Sequence, residues 1–208
     1  MVGLTQGDKD ELERAVAAAE KRTSAEIVLC VTDMCDDYRL YVLPYAALFG
    51  FLAFGVLALF MPDLHVRLAF LATGTAAILA ALALQWRPLR ILTVPRAVRE
   101  EAGAHLARAE FARLVAGRTS AANGLLIFVA LAEHHAEIVP EPELAARIPP
   151  AAWRKIMDDL TVDLAAGRVR AGIEAAIAAC GEAAAPVFPP TADDRDELSN
   201  APRAVRPH

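Results

Sequence analysis

Three groups of carboxylates carry the densest chemistry in this sequence. Asp33, Asp36 and Asp37 form one group, Glu141 and Glu143 a second, and Asp193, Asp194, Asp196 and Glu197 a third. Oxygen-rich clusters suit calcium or magnesium, hard cations that gather several carboxylate and carbonyl oxygens. A cation held that way needs its oxygen ligands fixed within a few tenths of an ångström. The candidate metal ligands are Glu141 with Asp33 or Asp194; no catalytic residue beyond them has a signature. The same residues also fit a plainer description, solvated acids on polar loops.

Other reactive side chains lack the spacing their chemistry needs. His134 and His135 are adjacent, so in a turn or strand they face opposite ways, and no HExxH pattern surrounds them. Ser24, Thr119 and Ser120 have no GxSxG setting, and no glycine-rich phosphate loop follows an apolar run. Cys30, Cys35 and Cys180 show no CxxC or Cys/His spacing and are odd in number. They read as free buried thiols of a reducing compartment. Glu26 and Glu137 sit in apolar runs, where a carboxyl must find a partner or an edge. Trp153 reads as a core anchor. No bound cofactor is implied.

The elements that would position these groups follow from periodicity. Thr5 is a candidate N-cap with Asp8 three residues on, close to a capping box. Leu12, Ala15, Val16 and Ala19 then share a helical face. Glu26–Thr32 is a nearly continuous apolar run, the mark of a strand buried on both faces. A helix begins near Thr93, a candidate N-cap, with Pro95 in its first turn, and Gly117 stops it. Gly124–Ala132 and Ala136–Pro140 are two more strands, joined by Glu133-His134-His135 and so antiparallel. Asn123-Gly124 reads as a turn. Pro149-Pro150 opens a helix closed by Gly167, and Val169–Ala184 is another. The tail from Thr191 is proline-dotted and polar and reads as loose.

Tyr41–Met61 and Leu68–Trp86 contain no Asp, Glu, Lys or Arg. Each is roughly 20 residues, the length a helix needs to cross a hydrocarbon core of about 30 Å. Two buried helices of a soluble core would show a polar stripe, and neither run has one. With only Pro62–Arg67 between them, they predict a transmembrane hairpin over 41–86. Both flanks then face one compartment. Arg39, Arg87, Arg90, Arg96 and Arg99 flank the open end, against Arg67 and Asp63 in the turn. The positive-inside rule makes that compartment the cytoplasm. Without intramembrane charges the spans predict no transport path. Gly50, Gly55 and Gly74 allow homo-oligomer packing, although no strict GxxxG is present.

The rest of the chain holds about one domain's worth of residues. Residues 1–40 and 87–186 are expected to fold together, with 187–208 as a flexible polar tail. The order helix, strand, hairpin, helix, strand, strand, helix, helix predicts an α/β (α+β) domain, a small mixed sheet packed with helices. The net charge of −5 excludes a nucleic-acid surface. Residues 1–21 are charged throughout and lack the apolar core of a signal peptide. Heavy use of alanine and arginine suggests a GC-rich bacterial genome and hence an inner membrane.

The sequence resembles the TPM-domain family. The resemblance runs through AAAEKRTSAEIVLCV (Ala17–Val31), RTSAANGLLIFVALAEHHAEIV (Arg118–Val139), PPAAWRKIMDDLTVDLAAGRVRAGIEAAIAACGE (Pro149–Glu182) and the FPP and DDRDEL of Phe188–Leu198. It implies an α/β sandwich around a small sheet. It also implies either a cation-dependent acid phosphatase or an accessory or assembly factor of a membrane complex. Where many relatives place an acidic residue, a basic residue and glycine, this chain has Glu141-Pro142-Glu143. That departure favours the accessory role, with the bilayer and a membrane protein as partners. A membrane-tethered phosphatase using calcium or magnesium is the alternative.

Overall fold

Thr5 opens the first helix as expected. Its hydroxyl accepts from the Asp8 amide and the Asp8 carboxylate accepts from the Thr5 amide, a complete capping box ahead of α1 (Gln6–Glu20). This is the start of a computed structural model that describes residues 4–119, 122–190 and 198–204. Strand β1 (Glu26–Thr32) follows, then a 3-10 turn (Arg39–Tyr41), α2 (Val42–Phe60), α3 (Val66–Ala83), α4 (Arg87–Thr93) and α5 (Arg96–Leu114). Strands β2 (Gly124–Ala130) and β3 (His135–Pro140) precede α6 (Pro142–Arg147), α7 (Pro150–Ala165) and α8 (Val169–Ala184). A two-residue strand, β4 (Arg203–Ala204), ends the described chain.

The sheet order is β3-β2-β1-β4. β1 runs parallel to β2, with Glu26 opposite Gly124 and Thr32 opposite Ala130. β3 runs antiparallel to β2, and β4 pairs with Cys30 and Val31 of β1. The mixed sheet is as expected. Its continuous apolar runs have the predicted cause, because alternate residues meet different cores. Ile27, Leu29, Leu125 and Ile127 face Leu12 and Val16 of α1, Ile156 and Leu160 of α7, and Ile173 and Ile177 of α8. Val28, Cys30, Leu126 and Phe128 face Ala107 of α5 and Val115. Gly117 and Gly167 take positive φ, +68° and +75°, where the polypeptide leaves α5 and α7.

The chain divides into two compact units, Met1–Cys35 with Glu100–His208, and Asp36–Arg99. In the second, Arg39–Phe60 and Val66–Ala83 are long and apolar enough to cross a membrane. They form a helical hairpin in which Gly50 lies against Ala77 and Thr73, and an added Cβ there would stand 3.1 Å from that of Ala77. Only Ala46 and Gly50 of α2 are buried, and none of α3. Arg90 is buried and donates to the carbonyls of Leu84 (3.3 Å), Gln85 (2.6 Å) and Asp37 (2.7 Å). It thereby satisfies carbonyls that α3 leaves open at its end and ties them to the segment that enters α2.

Two expectations change. Thr93 is not the N-cap of the long helix. It is the last residue of α4, and its hydroxyl bonds the Arg90 carbonyl. Pro142, in the Glu141-Pro142-Glu143 segment, begins α6 at a position where a missing N–H costs nothing. Within the tail expected to be loose, Leu198 packs on the α5 side of the sheet and Arg203–Ala204 add a strand.

Candidate functional site

Asp33 and Glu141, two of the expected ligands, are not brought together. Asp33 is exposed just beyond the carboxyl end of β1. Glu141 follows β3, which runs the other way, so it lies beside Gly124 at the opposite edge of the sheet. The seven residues of β1 put roughly 20 Å between those edges. Asp194, with the rest of its acidic group, lies outside the described residues. Among the described residues no three His, Cys, Asp or Glu side chains are grouped to hold a metal ion. Asp36 accepts from the Tyr38 amide, Asp37 pairs with Arg39 at 3.2 Å, and Glu143 pairs with Arg147 at 3.6 Å.

Glu141 is engaged otherwise. It is 4% exposed. Its Oε1 accepts from the Gly117 amide at 3.1 Å, and its Oε2 accepts from the Gly124 amide at 2.9 Å and the Thr119 hydroxyl at 2.5 Å. Its own amide donates to the Gly124 carbonyl at 2.8 Å. One carboxyl therefore fastens the start of the α5–β2 connection and the first residue of β2 to the end of β3. A carboxylate with three of its roughly four acceptor sites taken by protein donors is a poor calcium or magnesium ligand. Gly124 is not a turn residue. It is the first residue of β2, and an added Cβ would meet Val115 Cγ1 at 2.5 Å and Glu141 Oε2 at 3.0 Å. Beside it, buried Asn123 donates from Nδ2 to the Ser24 carbonyl, joining the segments that lead into β1 and β2. Glu26 accepts from the Leu198 amide at 3.2 Å, a backbone partner for its buried carboxyl.

The connection that Glu141 fastens carries Arg118, between Gly117 and Thr119. Arg118 lines a pocket of about 420 Å³ together with Val28, Arg113, Leu114, Leu198, Ser199 and Arg203. Each wall has a sequence cause. Val28 is one of the alternate residues of β1 that face α5. Arg113 and Leu114 are the last residues of α5, where a cation also meets the negative end of the helix. Arg203 is set by the pairing of β4 with Cys30.

Its electrostatics are positive. Arg113 donates from Nη2 at 2.5 Å and from Nε at 3.1 Å to one oxygen of Glu110, which is itself buried. That bond pushes the Arg113 guanidinium further toward its charged form. Burial, and then the Glu110 charge, pushes the nearby Cys30 thiol up to about 12. Among the described residues no carboxylate lines the pocket. Arg118 and Arg203 have no ion pair among the described residues. Three guanidinium groups around one concavity can receive an oxyanion through paired N–H donors. Sequence reading misses this site because its arginines stand 5 and 85 positions apart in the chain. Only the β4 pairing brings the third one in.

The remaining candidates take structural places. The His135 ring stands 6.4 Å from that of Phe128, and its Nε2 lies 3.4 Å from Glu137. His134 occupies the turn at φ 53°. All three cysteines are free and buried. Trp153 packs on the larger core.

No curated protein matches this sequence. The fold is similar to that in the NMR structure of BA42 from the psychrophilic bacterium Bizionia argentinensis, with a TM-score of 0.61 at 18% identity over 98% of this chain and 97% of that one. The model of the TPM domain matches residues 76–183. The match starts within α3 and runs through α5, β2, β3, α6 and α7 to the end of α8. The resemblances at Ala17–Val31 and Phe188–Leu198 fall outside it. This chain belongs to the TPM-domain family.

Proposed function

We propose that this chain is an integral membrane protein that holds its TPM domain at the cytoplasmic face of the inner membrane. There it serves as an accessory or assembly protein of a membrane complex. The partner is another membrane protein or a second copy of this chain. The observation that carries the reading is the outward-facing hairpin. Leu43, Phe51, Leu59, Phe60, Val66 and Phe70 are each 69–77% exposed, and smaller fractions of many others add to them. Together they present on the order of 1,500 Å² of apolar surface, several times the patch a soluble monomer tolerates. A bilayer would cover it. Arg39, Arg87, Arg90, Arg96 and Arg99 beside the open end support the cytoplasmic orientation. The phosphatase alternative finds no ligand set among the described residues, since Glu141 is engaged and Asp33 lies at the other edge.

The test is purification of tagged full-length protein from native membranes in mild detergent after brief in-membrane cross-linking. A stoichiometric membrane-protein partner, or a cross-linked dimer, is the expected result. Membranes that release the protein into alkaline carbonate would refute the anchor, and a monomer with no partner would refute the accessory role. A reporter enzyme active only outside the cytoplasm, fused at Leu64, should be active; the same reporter at the N-terminus should be silent.

A further inference from the structure

We propose that the arginine-lined pocket binds, intact, a small amphiphilic ligand that carries a doubly charged phosphate-type oxyanion. The oxyanion would sit against Arg113, Arg118 and Arg203, and the ligand's apolar part against Val28, Leu114 and Leu198.

Four observations converge on that ligand. The first is charge. The chain as a whole carries −5, yet among the described residues three arginines and no carboxylate line this one pocket. Arg113 is balanced by Glu110 along its Nε–Nη2 edge, which leaves Nη1 to donate. Arg118 and Arg203 are not balanced by any acid among the described residues. Two uncompensated guanidinium groups match a dianion, and their planar forks suit tetrahedral oxyanions. The second is shape: about 420 Å³ falls within the range of small-molecule sites and exceeds what an inorganic ion needs. The third is the apolar wall. Val28 and Leu198 belong to the core on the α5 side of the sheet, so a short hydrocarbon group there would extend packing that already exists.

The fourth is preorganisation. Arg118 is not on a free loop. Its neighbours on both sides, Gly117 and Thr119, are bonded to the buried Glu141 carboxyl. Leu198 is likewise fixed through its amide to Glu26. The backbone beneath the site is therefore set before a ligand arrives, which reduces the ordering cost of binding.

The lining residues also say what does not happen. Among the described residues that line it, Ser199 is the sole hydroxyl, and none is a carboxylate or histidine able to take its proton. The acids around it are engaged: Glu110 faces Arg113, Glu26 accepts from the Leu198 amide and Glu141 from Gly117 and Thr119. A phosphate ester in this pocket is held, not cleaved. This inference does not depend on the membrane reading, since every lining residue belongs to the unit built around the sheet.

The test uses the full chain in phosphatidylcholine nanodiscs, with butyl phosphate and inorganic phosphate as probes. Calorimetry should show butyl phosphate binding about tenfold or more tighter than inorganic phosphate, because butyl adds apolar burial to the same oxyanion. Affinity should weaken as salt rises from about 0.05 to 0.5 M, since the guanidinium groups are solvent-accessible. Arg118→Gln and Arg203→Gln should each lower affinity about tenfold or more, the loss of a charge-assisted hydrogen bond. Both side chains are exposed, so unchanged thermal unfolding of the two variants serves as the folding control. Absence of butyl phosphate binding at about 10 mM, or equal binding by the double variant, would overturn the proposal. So would release of inorganic phosphate from butyl phosphate. Nanodiscs doped with phosphatidic acid separate the two sources of the ligand. Loss of butyl phosphate binding in them identifies a lipid headgroup as occupant, and retention identifies a soluble ester.

Discussion

Replacing Glu141 tests whether its carboxyl is a fastener or a ligand. In the structure it accepts three hydrogen bonds, from Gly117, Thr119 and Gly124, while 4% exposed. Glu141→Gln keeps the shape and one acceptor oxygen. The amide oxygen should take the Oε2 place, where two donors arrive, and turn its NH2 toward the Gly117 amide. Gly117 is exposed, so water can meet part of that conflict. The net loss is about 1–2 kcal/mol, one hydrogen bond with partial rescue. Glu141→Ala removes both acceptor oxygens, and with them three hydrogen bonds, and strands the Gly124 amide and the Thr119 hydroxyl in a buried place. Each stranded donor costs about 1–3 kcal/mol, so the total is about 3–5 kcal/mol. For a chain of this length a loss of 1 kcal/mol lowers Tm by about 2–4 °C. The glutamine variant should thus melt about 2–8 °C lower, and the alanine variant about 6–20 °C lower. Circular dichroism of detergent-solubilised protein in excess chelator measures this. A ligand carboxyl behaves differently: without a cation its removal changes little, and the difference appears only when calcium is added. An alanine variant that melts within about 1 °C of the parent in chelator, and falls below it only with calcium, would refute the fastener and restore the cation site.

Other outcomes follow from the same geometry. Gly124→Ala and Gly103→Ala should each cost about 1–3 kcal/mol by overpacking, because the added Cβ meets Val115 Cγ1 and His135 Cδ2 respectively at 2.5 Å; chemical denaturation would show it as a lower midpoint. Arg90→Gln should loosen the end of α3 by about 2–4 kcal/mol, read as faster hydrogen exchange of the amides around Leu84–Thr93, and unchanged exchange there would refute the clasp. Burial raises the Cys30 and Cys180 thiols from an ordinary 9.0 to about 12. The native protein should therefore leave a thiol reagent unreacted near neutral pH until it is denatured. A raised folded-state value favours the neutral thiol, so the stabilisation is intact below 9.0 and is lost as pH climbs toward about 12; Cys180→Ala should flatten that alkaline decline. Thr5→Ala should lower stability by about 1 kcal/mol through loss of the α1 cap.

The elements were readable in the sequence where one local rule decides them. The capping box at Thr5, the buried strand at Glu26–Thr32 and the breaks at Gly117 and Gly167 depend only on near neighbours. Thr93 shows where local reading ends. Threonine before proline suits an N-cap, but the hydroxyl had a nearer acceptor in the Arg90 carbonyl, and α4 was too short to show a period. The site lies further still from local rules. That Glu141 stands out is visible in the sequence; that its partners are amides 17 and 24 residues away is not. A carboxyl in an apolar setting announces only that it must be met by something. Whether a cation or a set of N–H groups meets it depends on which sheet edge it reaches, and that is fixed by the direction of β3.

That direction also links the two findings about this domain. Because β3 returns antiparallel, the acid that could have faced Asp33 is delivered instead to the edge where α5 ends. There it holds the backbone on either side of Arg118. Glu141 therefore commits its carboxyl to backbone and hydroxyl donors rather than to a site shared with Asp33. The separation is testable in one pair of variants. If Glu141 fixes the pocket, Glu141→Gln should weaken butyl phosphate binding while Thr5→Ala, placed outside the pocket lining and about equally destabilising, should not. Equal loss in both would reduce Glu141 to a contributor to stability alone. Loss in Glu141→Gln alone makes it the positioning residue of an anion site.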